Sequence, residues 1–170
     1  MAINKSIILI GADGVGKSTL AADLSVAFNT PVFHGSHKHE DKVLRTNDLL
    51  LQAEVTPMIF DRIYPIDDLV YSNVLGLESD VQLTSYIRRL CDTDRFIILY
   101  LINDEAEAII RERGDDYIEP EHIQHIKNEY SRVLLEYNVP HTIVAMNFAR
   151  YDEALPSIVQ HLTRLARNKY

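Results

Sequence analysis

Ile7-Ile8-Leu9-Ile10-Gly11-Ala12-Asp13-Gly14-Val15-Gly16-Lys17-Ser18-Thr19 is the stretch whose reading decides the fold. Its first four residues are apolar without interruption, the pattern of a strand covered on both faces. Residues 11–18 match G-x-x-x-x-G-K-[ST], and a helical pattern with apolar Leu20, Leu24 and Ala27 follows. Each residue type has a task in that order of strand, loop and helix. Glycines such as Gly14 and Gly16, on either side of Val15, let the backbone curl so that successive N–H groups face phosphate oxygens. The helix N-terminus adds its dipole. Lys17 is placed to reach β- and γ-phosphates, and the Ser18 hydroxyl to ligate Mg²⁺. The loop marks a site for a nucleoside triphosphate, but it does not separate a kinase from an ATPase, a GTPase or a regulator.

Outward from this loop the chain alternates short apolar runs with longer helical patterns. Strands are expected at 3–10, 31–34, 58–60, 96–102 and 142–146. Helices are expected at 18–28, 41–53, 66–90, 105–113 and 121–137, and Ile158, Val159, Leu162 and Leu165 mark a closing one. Apolar strands joined through helices imply parallel crossovers, hence a single three-layer α/β domain over 1–170. In such sheets ligands collect beyond the carboxyl ends of the strands, here after Ile10, His34, Phe60, Ile102 and Met146.

Composition narrows the partners. The 170 residues carry 25 acidic and 17 basic side chains, a formal net charge of -8. A nucleic-acid partner is disfavoured, because it calls for a basic face; small anions held by a few placed cations are not. Cys91 is the single cysteine, so no disulfide can form within the chain, and a reducing cytoplasm is the expected setting. The longest apolar run, Phe96-Ile97-Ile98-Leu99-Tyr100-Leu101-Ile102, has seven residues, far short of the roughly 20 needed to span a membrane. Residues 7–10 are too few for a signal-peptide core, and a glycine turn follows them in place of a cleavage site. No membrane partner is expected.

Two further segments carry chemistry. Phe60-Asp61-Arg62 closes the third strand on the same sheet edge as the loop. There Asp61 can organise the water shell of Mg²⁺ opposite Ser18, and Arg62 offers a planar fork for a phosphate. Arg111-Glu112-Arg113-Gly114-Asp115-Asp116-Tyr117-Ile118-Glu119 lies between two helices. It reads either as a solvated helix end, where the dipole favours cations, or as a lid over about 111–120 whose arginine stabilises a transferring phosphoryl group.

With these pieces in order, nearly the whole chain resembles the thymidylate kinase family of nucleoside monophosphate kinases, and more loosely the deoxynucleoside kinases. The loop carries the family's acidic residue at Asp13, Asp61-Arg62-Ile63 is similar to its Asp-Arg-aromatic element, and residues 111–119 to its lid. The resemblance implies a five-stranded parallel sheet of order 2-3-1-4-5, MgATP on the loop, a deoxypyrimidine monophosphate as acceptor, and a homodimer. It also implies that Asp13 contacts the acceptor sugar and Arg62 its phosphate. Catalytic arginines would come from Arg111 or Arg113, since Gly14 stands where some members have a loop arginine. Arg45 is implied as a base or phosphate contact, and Phe148 and Arg150, after the fifth strand, as flanking the adenine.

The chain departs from that family after strand two, where an Arg-Glu-Pro-Gly-Gly-like segment is replaced by His34-Gly35-Ser36-His37-Lys38-His39-Glu40. The acceptor site is therefore altered, with His34 a candidate polar contact. A metal site of His34, His37 and His39 is the lesser reading, because zinc needs a defined third or fourth ligand. Tyr64, Tyr71 and Tyr86 can each stack on an acceptor base or pack half-buried, and Tyr71, with Asp61, is the one expected at the acceptor site. Three functions remain: a monophosphate kinase, a deoxynucleoside kinase with a base after strand two, and a non-catalytic nucleotide-binding regulator.

Overall fold

The structure, a computed structural model, describes residues 3–35, 41–114 and 118–167. Five strands form one sheet: β1 (Ser6–Ile10), β2 (Val32–His34), β3 (Ile59–Asp61), β4 (Phe96–Ile102) and β5 (Thr142–Ala145). Their spatial order is β2-β3-β1-β4-β5, with every neighbouring pair parallel, as the resemblance implies. Ile7 pairs with Ile59 on one side and with Ile97 on the other, so the loop after β1 leaves the middle of the sheet.

Seven α-helices surround the described sheet: α1 (Lys17–Phe28), α2 (Lys42–Val55), α3 (Tyr64–Leu75), α4 (Val81–Cys91), α5 (Ala106–Arg113), α6 (Ile123–Glu136) and α7 (Tyr151–Arg167). Inner strand β1 is buried along its whole length, whereas the edge strands β2 and β5 are only partly covered. Uniform burial, expected for all five runs, is a property of the inner strands alone.

Other departures have local causes. The helix expected over 66–90 is two helices. Gly76, at φ 67, ends α3 in the left-handed conformation, and the Asp80 carboxylate caps α4 by accepting from Gln82 N at 2.8 Å. The first strand begins at Ser6, which pairs with Phe96 in the ladder and whose hydroxyl accepts from Met58 N. The closing helix starts at Tyr151 and takes Pro156 into its second turn. No described helix is long and apolar enough to cross a membrane.

Candidate active site

The loop of residues 11–16 runs from the end of β1 into α1 and is closed in from two sides. A Cβ on Gly14, where φ is 77, would lie 2.9 Å from the Ala106 carbonyl oxygen and 3.2 Å from Ile110 Cγ1, so α5 is seated directly on the loop. A Cβ on Gly16, at φ 94, would lie 2.8 Å from Phe148 Cζ. Phe148 thus borders the loop where an adenine flank is expected; Arg150, two residues on, is exposed and pairs with Glu153 at 3.5 Å.

Lys17 is buried, and its ammonium donates to the carbonyls of Gly11 at 2.8 Å and Ala12 at 2.5 Å. Burial, reinforced by the nearby Arg62 charge, pushes its pKa down to about 7. A polyphosphate favours the ammonium form, so its binding above pH 7 draws a proton from solvent. Affinity for ATP is expected to fall as pH rises above 7, by up to about tenfold per unit. Titration calorimetry at pH 8 in buffers of different ionisation enthalpy measures that proton; buffer-independent heats would contradict it.

Ser18 and Asp61 meet as the sequence implies. The Ser18 hydroxyl donates to Asp61 Oδ2 at 2.6 Å, and His34 Nδ1 lies 2.9 Å from the same oxygen. Asp61 Oδ1 is buried and has no hydrogen-bond partner among the described residues. A hydroxyl beside a carboxylate with an uncommitted oxygen suits a hard, partly hydrated cation such as Mg²⁺. Among the described residues no group of three or more His, Cys, Asp or Glu side chains could hold a metal by itself. His37 and His39 lie outside the described residues.

Asp13, Arg62 and Tyr71 form the second half of the site. One Arg62 amino group donates to Asp13 Oδ1, and the other donates to the Tyr71 hydroxyl at 3.2 Å. Tyr71 in turn donates to Asp13 Oδ2 at 2.6 Å, and the guanidinium lies over its ring, 5.5 Å from the centroid. Burial opposes charging Asp13, but Arg62 and Lys17 outweigh it and hold the carboxyl below its usual range. Arg62 is also partly desolvated, yet Tyr71, Asp13 and Asp67 keep its pKa well above the ordinary guanidinium value.

The Arg62 backbone has φ 79, in the left-handed region that a non-glycine residue enters at a cost of about 1–2 kcal/mol. That turn begins immediately after β3, where Arg62 N donates to Leu9 O at 3.1 Å.

Asp67 and Tyr130 complete this cluster and were not singled out by the sequence. Asp67 Oδ2 accepts from Ile63 N at 3.1 Å, and Oδ1 accepts from the Tyr130 hydroxyl. Burial raises the Asp67 pKa, against the pull of Arg62. A signal was present: an acid in the first turn of a helix can reach back to the N-cap amide. Tyr130 sits in the apolar stripe of α6, where its hydroxyl is invisible to periodicity.

Other candidates lie elsewhere. Arg45 stacks on Phe33, 5.1 Å from the ring centroid, with its Nε buried and without a hydrogen-bond partner among the described residues. Tyr64 packs edge-on against Phe33 at 6.3 Å, and Tyr86 lies under Arg89. Arg111 and Arg113 occupy the last turn of α5, ahead of Gly114. Arg111 pairs with Glu107 at 3.0 Å and Glu121 at 3.2 Å, so it is not brought to the loop in this arrangement. Residues 115–117 of the expected lid lie outside the described residues.

No protein-family model matches the chain, and no curated protein matches it. Solved structures do. The YorR protein of Bacillus subtilis, in complex with phosphorylated GDP, aligns with a TM-score of 0.71 and 25% identity, over 98% of this chain and 100% of that one. Deoxyadenosine kinase from M. mycoides with bound dATP aligns with a TM-score of 0.64 and 19% identity, over 93% and 99%. The same enzyme with bound dCTP gives 0.62 and 18%, over 94% and 99%. The likeness to deoxyadenosine kinase runs the length of both chains and shows a shared fold.

Proposed function

We propose that this chain is a nucleoside monophosphate kinase that moves the γ-phosphoryl group of ATP to a deoxypyrimidine monophosphate of the dTMP or dUMP type. At the coarser level it is an ATP-dependent nucleotide kinase. One observation carries the finer reading: Arg62, held at φ 79 and paired with Asp13 and Tyr71 beside the phosphate loop, is a preset cation for an acceptor that is already anionic. Such an acceptor needs in-line placement and charge neutralisation, with no general base. The nucleotides in the YorR and deoxyadenosine kinase structures support a nucleotide as ligand.

The remaining roles belong to the same reading. Lys17 reaches the transferring phosphates, and Asp13 with Tyr71 meets the acceptor sugar. Ser18 and Asp61 would hold Mg²⁺, which when bound neutralises charge on the phosphate oxygens. In this reading Phe148 and Arg150 flank the adenine, Arg45 and His34 serve the altered acceptor side, and Arg113, or Arg111 once released from Glu107 and Glu121, serves the transferring group from the α5 end. A homodimer belongs to the same reading.

A second reading, a deoxynucleoside kinase, has one observation in its favour: His34, at the end of β2 where a base would act on a sugar hydroxyl, is held at 2.9 Å by Asp61. A single panel separates the two. ADP release from MgATP is measured with dTMP, dUMP, thymidine, deoxycytidine and deoxyadenosine. Release with the monophosphates is expected; release with nucleosides alone overturns the first reading for the second. Release with none leaves the regulator.

A further inference from the structure

The buried carboxylate of Asp67 is not consumed by any role above, although it is among the most enclosed charges in the described chain. Both of its oxygens are committed. Oδ2 holds the amide of Ile63, the residue directly after the strained Arg62, and Oδ1 holds the hydroxyl of Tyr130. Tyr130 has no freedom of its own: it is fully buried between Tyr71, at 6.4 Å and 83°, and Tyr100, at 5.7 Å and 33°. An apolar pair would fill this space at lower desolvation cost, so packing alone does not call for it.

We propose that Asp67 and Tyr130 are positioning residues for Arg62, fixing its backbone turn and the direction of its guanidinium and thereby tying the acceptor pocket to helix α6. This rests on the monophosphate-kinase reading of Arg62.

Two features carry it. The Ile63 amide is clamped one peptide beyond a residue in an unfavoured conformation, and such conformations persist only where surrounding contacts over-determine them. Tyr130 also occupies the Asp67 oxygen that would otherwise be free to draw the Arg62 guanidinium away from Asp13 and Tyr71. The connection continues outward. The chain enters α6 from the short turn Pro120–His122, whose Glu121 pairs with Arg111 on α5. Helix α6, which carries Tyr130, therefore begins directly after the turn that Arg111 of α5 is paired to.

The test uses Tyr130→Phe, which keeps the ring and deletes only the hydroxyl, and Asp67→Asn, which keeps an oxygen for the Ile63 amide. Losing a buried hydrogen-bond partner at this cost predicts an acceptor KM raised about tenfold in Tyr130→Phe, with the ATP KM within about twofold. Amide exchange at Ile63 is expected to quicken by about the same factor, and Asp67→Asn to raise the acceptor KM in the same direction. An equal rise in both KM values, or an unchanged acceptor KM, overturns the proposal. A wild-type protein that phosphorylates no monophosphate defeats the functional reading instead. In that event the Ile63 exchange rate alone decides positioning, and unchanged exchange overturns it.

Discussion

Lys17→Met is expected to lower turnover by about a hundredfold to a thousandfold while leaving the fold as stable as before, or more so. On the proposed reading, the catalytic loss follows from removing a preorganised cation that serves the transferring phosphates. The stability result comes from the same burial that gives Lys17 its value. Its pKa stands at about 7 in the fold against 10.5 as a free side chain. Between those values the unfolded chain binds more protons than the folded one, so wild-type stability climbs with pH across that window. The penalty for the buried ammonium is fully present below about pH 7 and vanishes near 10.5. Methionine fills similar volume without a charge, so its advantage in unfolding midpoint is largest at pH 6 and gone by about pH 10. Denaturant melts at the two pH values check this; a variant less stable at pH 6 would sink the argument.

Arg62→Ala is expected to cut turnover with a monophosphate acceptor by a similar factor, while ATP affinity changes less than about threefold. It also strands Asp13, whose carboxylate keeps only Tyr71 as a hydrogen-bond donor, at a cost of roughly 3 kcal/mol. Arg62→Gly separates charge from backbone. Glycine recovers about 1–2 kcal/mol of left-handed strain and gives back about 0.4–1 kcal/mol through a freer unfolded chain. Arg62→Gly should therefore be equally inactive yet slightly more stable than Arg62→Ala. Urea unfolding of the pair measures the difference, and normal turnover in either variant would show that Arg62 does not hold the acceptor phosphate.

The architecture was legible because one local signal and one periodic signal agreed. Residues 7–19 dictate strand, loop and helix, and the later apolar runs repeat the alternation that a parallel sheet requires. The junction at 76–80 was missed although both signals were there, a glycine stop and an aspartate start, because the apolar spacing runs on across them. The site divides in the same way. Ser18 and Asp61 are readable from motif spacing, and the structure joins them at 2.6 Å. Which of Tyr64, Tyr71 and Tyr86 belongs with Arg62 is not readable, since all three have helical spacing. The choice is made by a contact between Tyr71 and Asp13, 58 residues apart. Tyr130 was hidden more deeply, because an aromatic on an apolar stripe satisfies the packing pattern whether or not its hydroxyl has work to do.

The hydrogen bonds of this cleft have a last consequence. Lys17 holds two loop carbonyls, Arg62 holds Asp13, and Ser18 holds Asp61, so these three groups, proposed to meet the phosphates and their Mg²⁺, each have an internal counterpart. Ligand binding is then an exchange of partners, and its free energy is a difference between two well-satisfied states. Only a ligand that displaces several of these pairings together recovers what it breaks. A lone chloride, sulfate or inorganic phosphate that displaces only one of them would gain less. Against the cell's background of small anions, a cleft that binds as proposed would act as a threshold device, responding to the length of a polyphosphate more than to its charge.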